Sequence, residues 1–274
     1  MRLARYCGIT LFAALLASCA IGVRQEIDLG RRYAAQLERE MPMVHVPAIQ
    51  ADLDLITARL TPFARRREIV YRFTLVNSDA VNAFAVPGGY IYVTRALIEN
   101  AASMDQLAGV LGHEMGHVEL RHSAKQIGRA QAAETGIGVV GVLLGRQPNQ
   151  AVQAGVSVAG QLVFARFSRD QEREADEVAV GYVTEAGINP GGIVGMFETL
   201  QSLERSRPSA LESFFASHPM AADRMTEVNA LIARTPASQA LLATGTRDAP
   251  EFQRLKAAVR QLPPPPDRRP PTPK

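Results

Sequence analysis

The chain has 274 residues, 47% hydrophobic and 21% charged, which is the make-up of a globular protein long enough to bury one good core. Its 30 basic and 27 acidic residues give a net charge of +3, falling to +1 once Arg2 and Arg5 leave with the leader described below, so nothing favours a nucleic-acid partner. Both cysteines, Cys7 and Cys19, lie near the start, so the body of the chain must rely on its core and any bound metal rather than on disulfides.

Arg2 and Arg5 precede an uncharged stretch from Tyr6 to Ala17, the charged start and short apolar middle of a secretory leader. It ends Leu16-Ala17-Ser18-Cys19, which resembles the bacterial lipobox. That resemblance implies removal of a signal peptide over 1–18 and a lipid on Cys19. With Ala20 rather than Asp next, it also implies sorting to the periplasmic side of the outer membrane. A plain signal peptide cut at another small residue is the alternative.

Further along, the spacing of Ile27, Tyr33, Ala34 and Leu37 predicts a helix over 25–41, and Pro47 and Pro62 bracket a second over 48–60. From Glu68 the residues turn β-rich, and 69–76, 81–86 and 90–94 read as strands of a small, mostly antiparallel sheet, the last two joined by Pro87-Gly88-Gly89. Ser103 with Gln106 reads as a capping box opening a helix that carries Leu107, Val110, Leu111 and Val118. Residues 135–165 read as two helices with small-residue faces, too short and too polar for a transmembrane hairpin. A second capping box, Ser168 with Gln171, starts a helix that Gly187 stops. Helices follow over 192–206, 221–233 and 251–262, then a Pro-rich extended tail. The fold class is α+β, mainly α-helical, with one domain over 19–250 and a short helix and tail over 251–274.

The chemistry sits in the helix opened by Ser103. His113-Glu114-Met115-Gly116-His117 places two imidazoles four residues apart, offset by only about 40° around the axis, so both leave one face and can meet one ion. Zinc held by two imidazoles needs a third protein ligand and an open position for water, and Glu114 beside the first ligand suits a general base. His122 is not a third ligand of the extended metzincin pattern, because Leu120 and Ser123 stand where Gly and His are required.

Four motifs in order then resemble the gluzincin metalloproteases. They are Asn82-Ala83-Phe84-Ala85-Val86-Pro87-Gly88-Gly89; His113 to Val118 followed by Arg121-His122-Ser123; Ser168 to Asp176; and Ser217-His218-Pro219 with Arg224. That family includes the CAAX prenyl endoprotease, HtpX and the mitochondrial overlapping-activity protease, and the match looks nearest to bacterial periplasmic lipoprotein metalloproteases. The resemblance implies a zincin domain with one zinc ion per chain, Glu172 as third ligand and Asp176 behind it. Four residues apart on one helix, these two carboxylates face the same way, while Glu174 lies off that face and reads as solvated or salt-bridged. The resemblance further implies that His218 and Arg224 approach from the far side to stabilise an oxyanion. Alternatively His218 blocks the open position, or both residues serve a structural turn. Asn82, Ala83, Phe84 and Ala85 resemble the edge strand on which an extended peptide lies. The implied activity is endoproteolysis of unfolded or misassembled polypeptides, outer-membrane proteins foremost, on a membrane-anchored enzyme. The rival reading is a lipoprotein chaperone or outer-membrane assembly factor with a structural zinc site.

Overall fold

A computed structural model describes residues 21–129, 166–219 and 223–266. Cys19 and its leader, the helix pair predicted within 135–165 and the end of the Pro-rich tail lie outside the described residues. No helix among the described residues is long and apolar enough to cross a membrane.

Helix α1 (Val23–Glu40) turns Leu29, Tyr33, Ala34 and Leu37 inward, and α2 (Pro47–Thr57) starts at a proline that needs no N–H partner in the first turn. Three strands follow, β1 (Arg72–Val76), β2 (Ala83–Val86) and β3 (Tyr90–Thr94), in the order β1-β3-β2. Pairing of β2 with β3 is antiparallel across Pro87-Gly88-Gly89, where φ of +79° at Gly88 and +89° at Gly89 makes the turn. The sheet is mixed rather than mostly antiparallel, because β1 runs parallel to β3, with Arg72 opposite Tyr90 and Val76 opposite Thr94. Strand β2 forms one edge, and Phe84 stacks on Tyr92 at 5.0 Å.

After the short α3 (Arg95–Asn100) comes α4 (Met104–Glu119), in which every residue from Met104 to Val118 is buried. A helix enclosed on all sides can hold charged groups only if they are paired or used. Its start differs from the predicted box: Ser103 Oγ donates to Asp105, and Gln106 Oε1 accepts from Ala102 N at 2.9 Å. Helix α5 (Arg169–Glu185) has the predicted box in full, with Ser168 Oγ accepting from Gln171 N and Gln171 Oε1 from Ser168 N.

Helices α4 and α5 cross antiparallel, Gly112 facing Ala179 and Gly116 facing Ala175. A Cβ on Gly116 would lie 2.9 Å from the Ala175 carbonyl oxygen, so glycine sets how closely the helices approach. Gly116→Ala should cost about 1–3 kcal/mol through overpacking against backbone. Thermal unfolding of the metal-free protein checks this, and an unchanged midpoint counts against it.

Around this pair lie α6 (Gly191–Ser206), α7 (Glu212–Ser217), α8 (Arg224–Arg234) and α9 (Pro236–Thr244). Helix α10 (Pro250–Arg260) buries Phe252, Leu255 and Val259 in the main core, so that core continues past the expected boundary at residue 250. The start of the tail is also held, since Asn77 and Arg95 both donate to the Pro263 carbonyl.

Candidate metal centre

Two helices deliver the predicted ligands to one point. From α4, the Nε2 atoms of His113 and His117 stand 3.0 Å apart. From α5, Glu172 Oε2 lies 3.5 Å from His113 Nε2, and Glu172 Oε1 lies 3.5 Å from His117 Nε2. Ligands held at about 2.0–2.1 Å around a tetrahedral ion stand about 3.4 Å from one another, so this donor set fits zinc in both chemistry and spacing. His218, just after α7, enters the same cluster: its Nδ1 is 3.1 Å from Glu172 Oε1 and 3.4 Å from His113 Nε2. One donor atom from each of these four residues lies within 4.8 Å of the others, and all four are buried.

The surroundings orient these donors. Asp176, one turn after Glu172, accepts at Oδ1 from His113 Nδ1 at 2.8 Å, which leaves the His113 Nε2 lone pair facing the cluster. Arg224, in the first turn of α8, donates from Nε and Nη2 to both Asp176 oxygens at 2.8 Å. Its Nη1 lies 2.6 Å from Glu172 Oε2, an ion contact off the hydrogen-bond direction, and 3.5 Å from the Pro219 carbonyl. His117 stacks on Phe167 at 3.9 Å with ring planes 19° apart.

Charge follows this layout. Burial opposes protonation of His113, but Asp176 and Glu172 outweigh it and lift its pKa to about 10, so an ion entering the cluster must displace the proton on Nε2 to reach that lone pair. For His117, burial dominates and, with the charges of His113 and His218, pushes its pKa well down despite Glu172. Burial would raise the Glu172 carboxyl, yet His218, His113 and His117 hold it far below the usual carboxylate range. Asp176 is likewise depressed, with Arg224 and His113 overcoming burial.

Glu114 stands apart from this bonded network. Both of its carboxylate oxygens are buried with no well-aligned hydrogen bond, burial raises its pKa against the lowering pull of His218, His113 and the Ala85 backbone, and the unpartnered Nε2 of His218 lies 3.5 Å from Oε1. A fully enclosed carboxylate without a partner costs stability and is retained where it is used. Strand β2, with Ala83, Phe84 and Ala85, packs across α4, and Ala85 presents its carbonyl to Ser123 Oγ at 3.4 Å. Asn82 precedes it, its backbone bonded to Thr94 and its side-chain oxygen buried without a partner.

Residues 47–232, from α2 into α8, match Peptidase family M48. The chain belongs to that family. Its His113, His117 and Glu172 form a His-His-Glu set that could hold a metal ion. It is 30% identical over 219 residues to the Beta-barrel assembly-enhancing protease of Yersinia pestis, a match covering 77% of this chain and 44% of that protein. Metalloprotease YcaL and Metalloprotease LoiP of Escherichia coli (strain K12) are 33% and 36% identical over 153 and 156 residues. Those matches cover 56% and 54% of this chain and 59% and 57% of theirs. This M48 chain thus spans about half the length of the curated relatives it matches.

Sequence reasoning missed three neighbours in the M48 site. Phe167 gave no motif signal, being one apolar residue before a capping box. His122 lies outside the donor set, as its sequence context implied, but its burial with Nδ1 2.8 Å from His117 Nδ1 had no sequence signal. Glu174, read as solvated or salt-bridged, reaches the other His122 nitrogen at 3.1 Å, a partner that no sequence signal identified.

Proposed function

We propose that this chain is a zinc-dependent endopeptidase that cleaves unfolded or misassembled polypeptides in the bacterial envelope, held to the membrane by a lipid on Cys19. The observation that carries the reading is the convergence of His113, His117 and Glu172 beside a buried, unpartnered Glu114. In this reading the three converging residues hold the ion. Zinc, when bound there, polarises the scissile carbonyl and acidifies water. Glu114 takes the proton of the attacking water as the C–O bond forms, then delivers it to the amide nitrogen as the C–N bond breaks. Its raised pKa suits that second delivery. Asp176 keeps His113 in the ligating tautomer. Arg224 differs from the oxyanion donor expected from sequence, because all three of its nitrogens already face Asp176, Glu172 and Pro219. It acts on the site by holding those carboxylates. In the edge strand β2, Ala83 and Ala85 sit at the alternate positions whose main chain turns away from β3, while the Asn82 backbone is spent on Thr94. Main-chain contacts there, indifferent to sequence, suit an unfolded segment. The Yersinia relative is named for β-barrel assembly, and that name, with the lipobox resemblance, supports outer-membrane proteins as substrates at the periplasmic face.

The test is metal removal. Dialysis against a chelator should abolish cleavage of casein and of an unfolded outer-membrane β-barrel protein, and one equivalent of zinc per chain should restore it. Mass spectrometry of the products identifies the bonds cut, and cleavage unaffected by the chelator rejects the reading.

His218 sits within the donor set, so we read it as occupying the position that substrate and water need. His218→Ala should then speed casein hydrolysis several-fold at saturating zinc while weakening zinc retention. A drop in kcat of about 100-fold or more would instead make His218 the oxyanion donor. A closed set of four donors also favours the second reading, a chaperone or assembly factor with structural zinc, and Glu114 separates the two.

A further inference from the structure

We propose that His122 and Glu174 form a second brace on the metal site, fixing the tautomer and orientation of His117 as Asp176 does for His113. The proposal rests on the reading of His113 and His117 as ligands. An imidazole that offers Nε2 to an ion must carry its proton on Nδ1 and place it on an acceptor. For His113 that acceptor is Asp176. For His117 it is His122 Nδ1, 2.8 Å away. His122 can accept there only if its own proton is on Nε2, and Glu174 Oε2, an acceptor-only group 3.1 Å from that nitrogen, holds it there. A single carboxylate thereby dictates the direction of two successive hydrogen bonds, and the last lone pair in the series is the one facing the ion.

The backbone is bent to make this contact. Five residues after His117, His122 would lie about 140° round a continuous helix and could not meet it. The chain leaves α4 at Leu120, and Arg121 adopts φ of +59°, a left-handed conformation that costs a non-glycine residue about 1–2 kcal/mol. Arg121 is held there by Glu26 Oε2, which accepts from its Nε at 2.8 Å, and by the Ile21 carbonyl. The reversal returns His122 beneath His117, buried to 1% exposure, while Phe167 stacks on the His117 ring. A core histidine serving only packing would need neither this strained turn nor an acceptor aimed at a ligand's Nδ1.

Zinc affinity by competition with a chromophoric chelator, together with the visible spectrum of the cobalt-substituted protein, tests the brace on the full chain. His122→Phe keeps the volume and removes the acceptor; it should weaken zinc binding about 10- to 100-fold and alter the cobalt bands. His122→Asn, whose Oδ1 can replace Nδ1, should recover most of the affinity. Zinc binding by His122→Phe equal to wild type overturns the brace, and so does an equal loss in His122→Phe and His122→Asn, which would mark a packing role. If His122→Phe fails to fold, Glu174→Leu, at a side chain 56% exposed, decides. Several-fold weaker zinc binding supports the brace and unchanged binding overturns it. Wild-type protein that takes up no stoichiometric zinc would sink the ligand reading itself, a result distinct from failure of the brace alone.

Discussion

Glu114→Gln is expected to cut kcat for casein by about 10³- to 10⁴-fold, the upper part of the 10²–10⁴ range for a general acid–base group, with zinc still bound one per chain. The change keeps size and shape, so the neighbours of the side chain are undisturbed. It removes the site's proton acceptor, which both steps of amide cleavage require. Gln is also neutral, and a buried unpartnered carboxylate is a burden on the fold, so the variant should unfold at a temperature equal to or above that of wild type. Loss of catalysis with retained zinc and undiminished stability identifies a base. Retained cleavage, or retained cellular function without cleavage, would instead favour the chaperone reading.

The second large effect is expected from Arg224→Met. Arg224 is a buried cation that serves two buried carboxylates, with hydrogen bonds to Asp176 and an ion contact to Glu172. Removing one member of such a group leaves charge stranded in a medium that solvates it poorly, and the cost is about 3–5 kcal/mol. In a chain of this length that lowers the unfolding midpoint of the metal-free protein by roughly 6–20 °C. Zinc supplies positive charge to the same carboxylates, so the loss should be smaller in the metal-loaded form. Calorimetry of both forms checks this. An equal shift with and without zinc would mean that Arg224 packs rather than pairs.

Most of what local chemistry dictates was legible in the sequence. The α5 capping box appears as read because its partners are three residues apart and need nothing else. The Ser103 box was read by the same rule and formed differently, since Asp105 competed for the Ser103 hydroxyl and Gln106 bonded one residue earlier. Parallel pairing of β1 with β3 was not legible, because register between non-adjacent strands depends on tertiary contacts. Helix α9, opened by Pro236, carried a readable start signal that was passed over. At the site, His113, His117, Glu172 and Asp176 come together at the spacing their helical positions demand. What escaped were contacts made by leaving a helix: His122 depends on a left-handed residue that no periodicity reports, and Arg224 spends its guanidinium on carboxylates that only the folded chain brings near.

The enclosure of α4 on every side bears on self-damage. Should the chain attack loosened polypeptides as proposed, any copy that begins to open becomes prey for its intact neighbours. His113, Glu114 and His117 lie on the segment expected to surrender its amide protons last, so the surrounding elements can loosen before these three are parted.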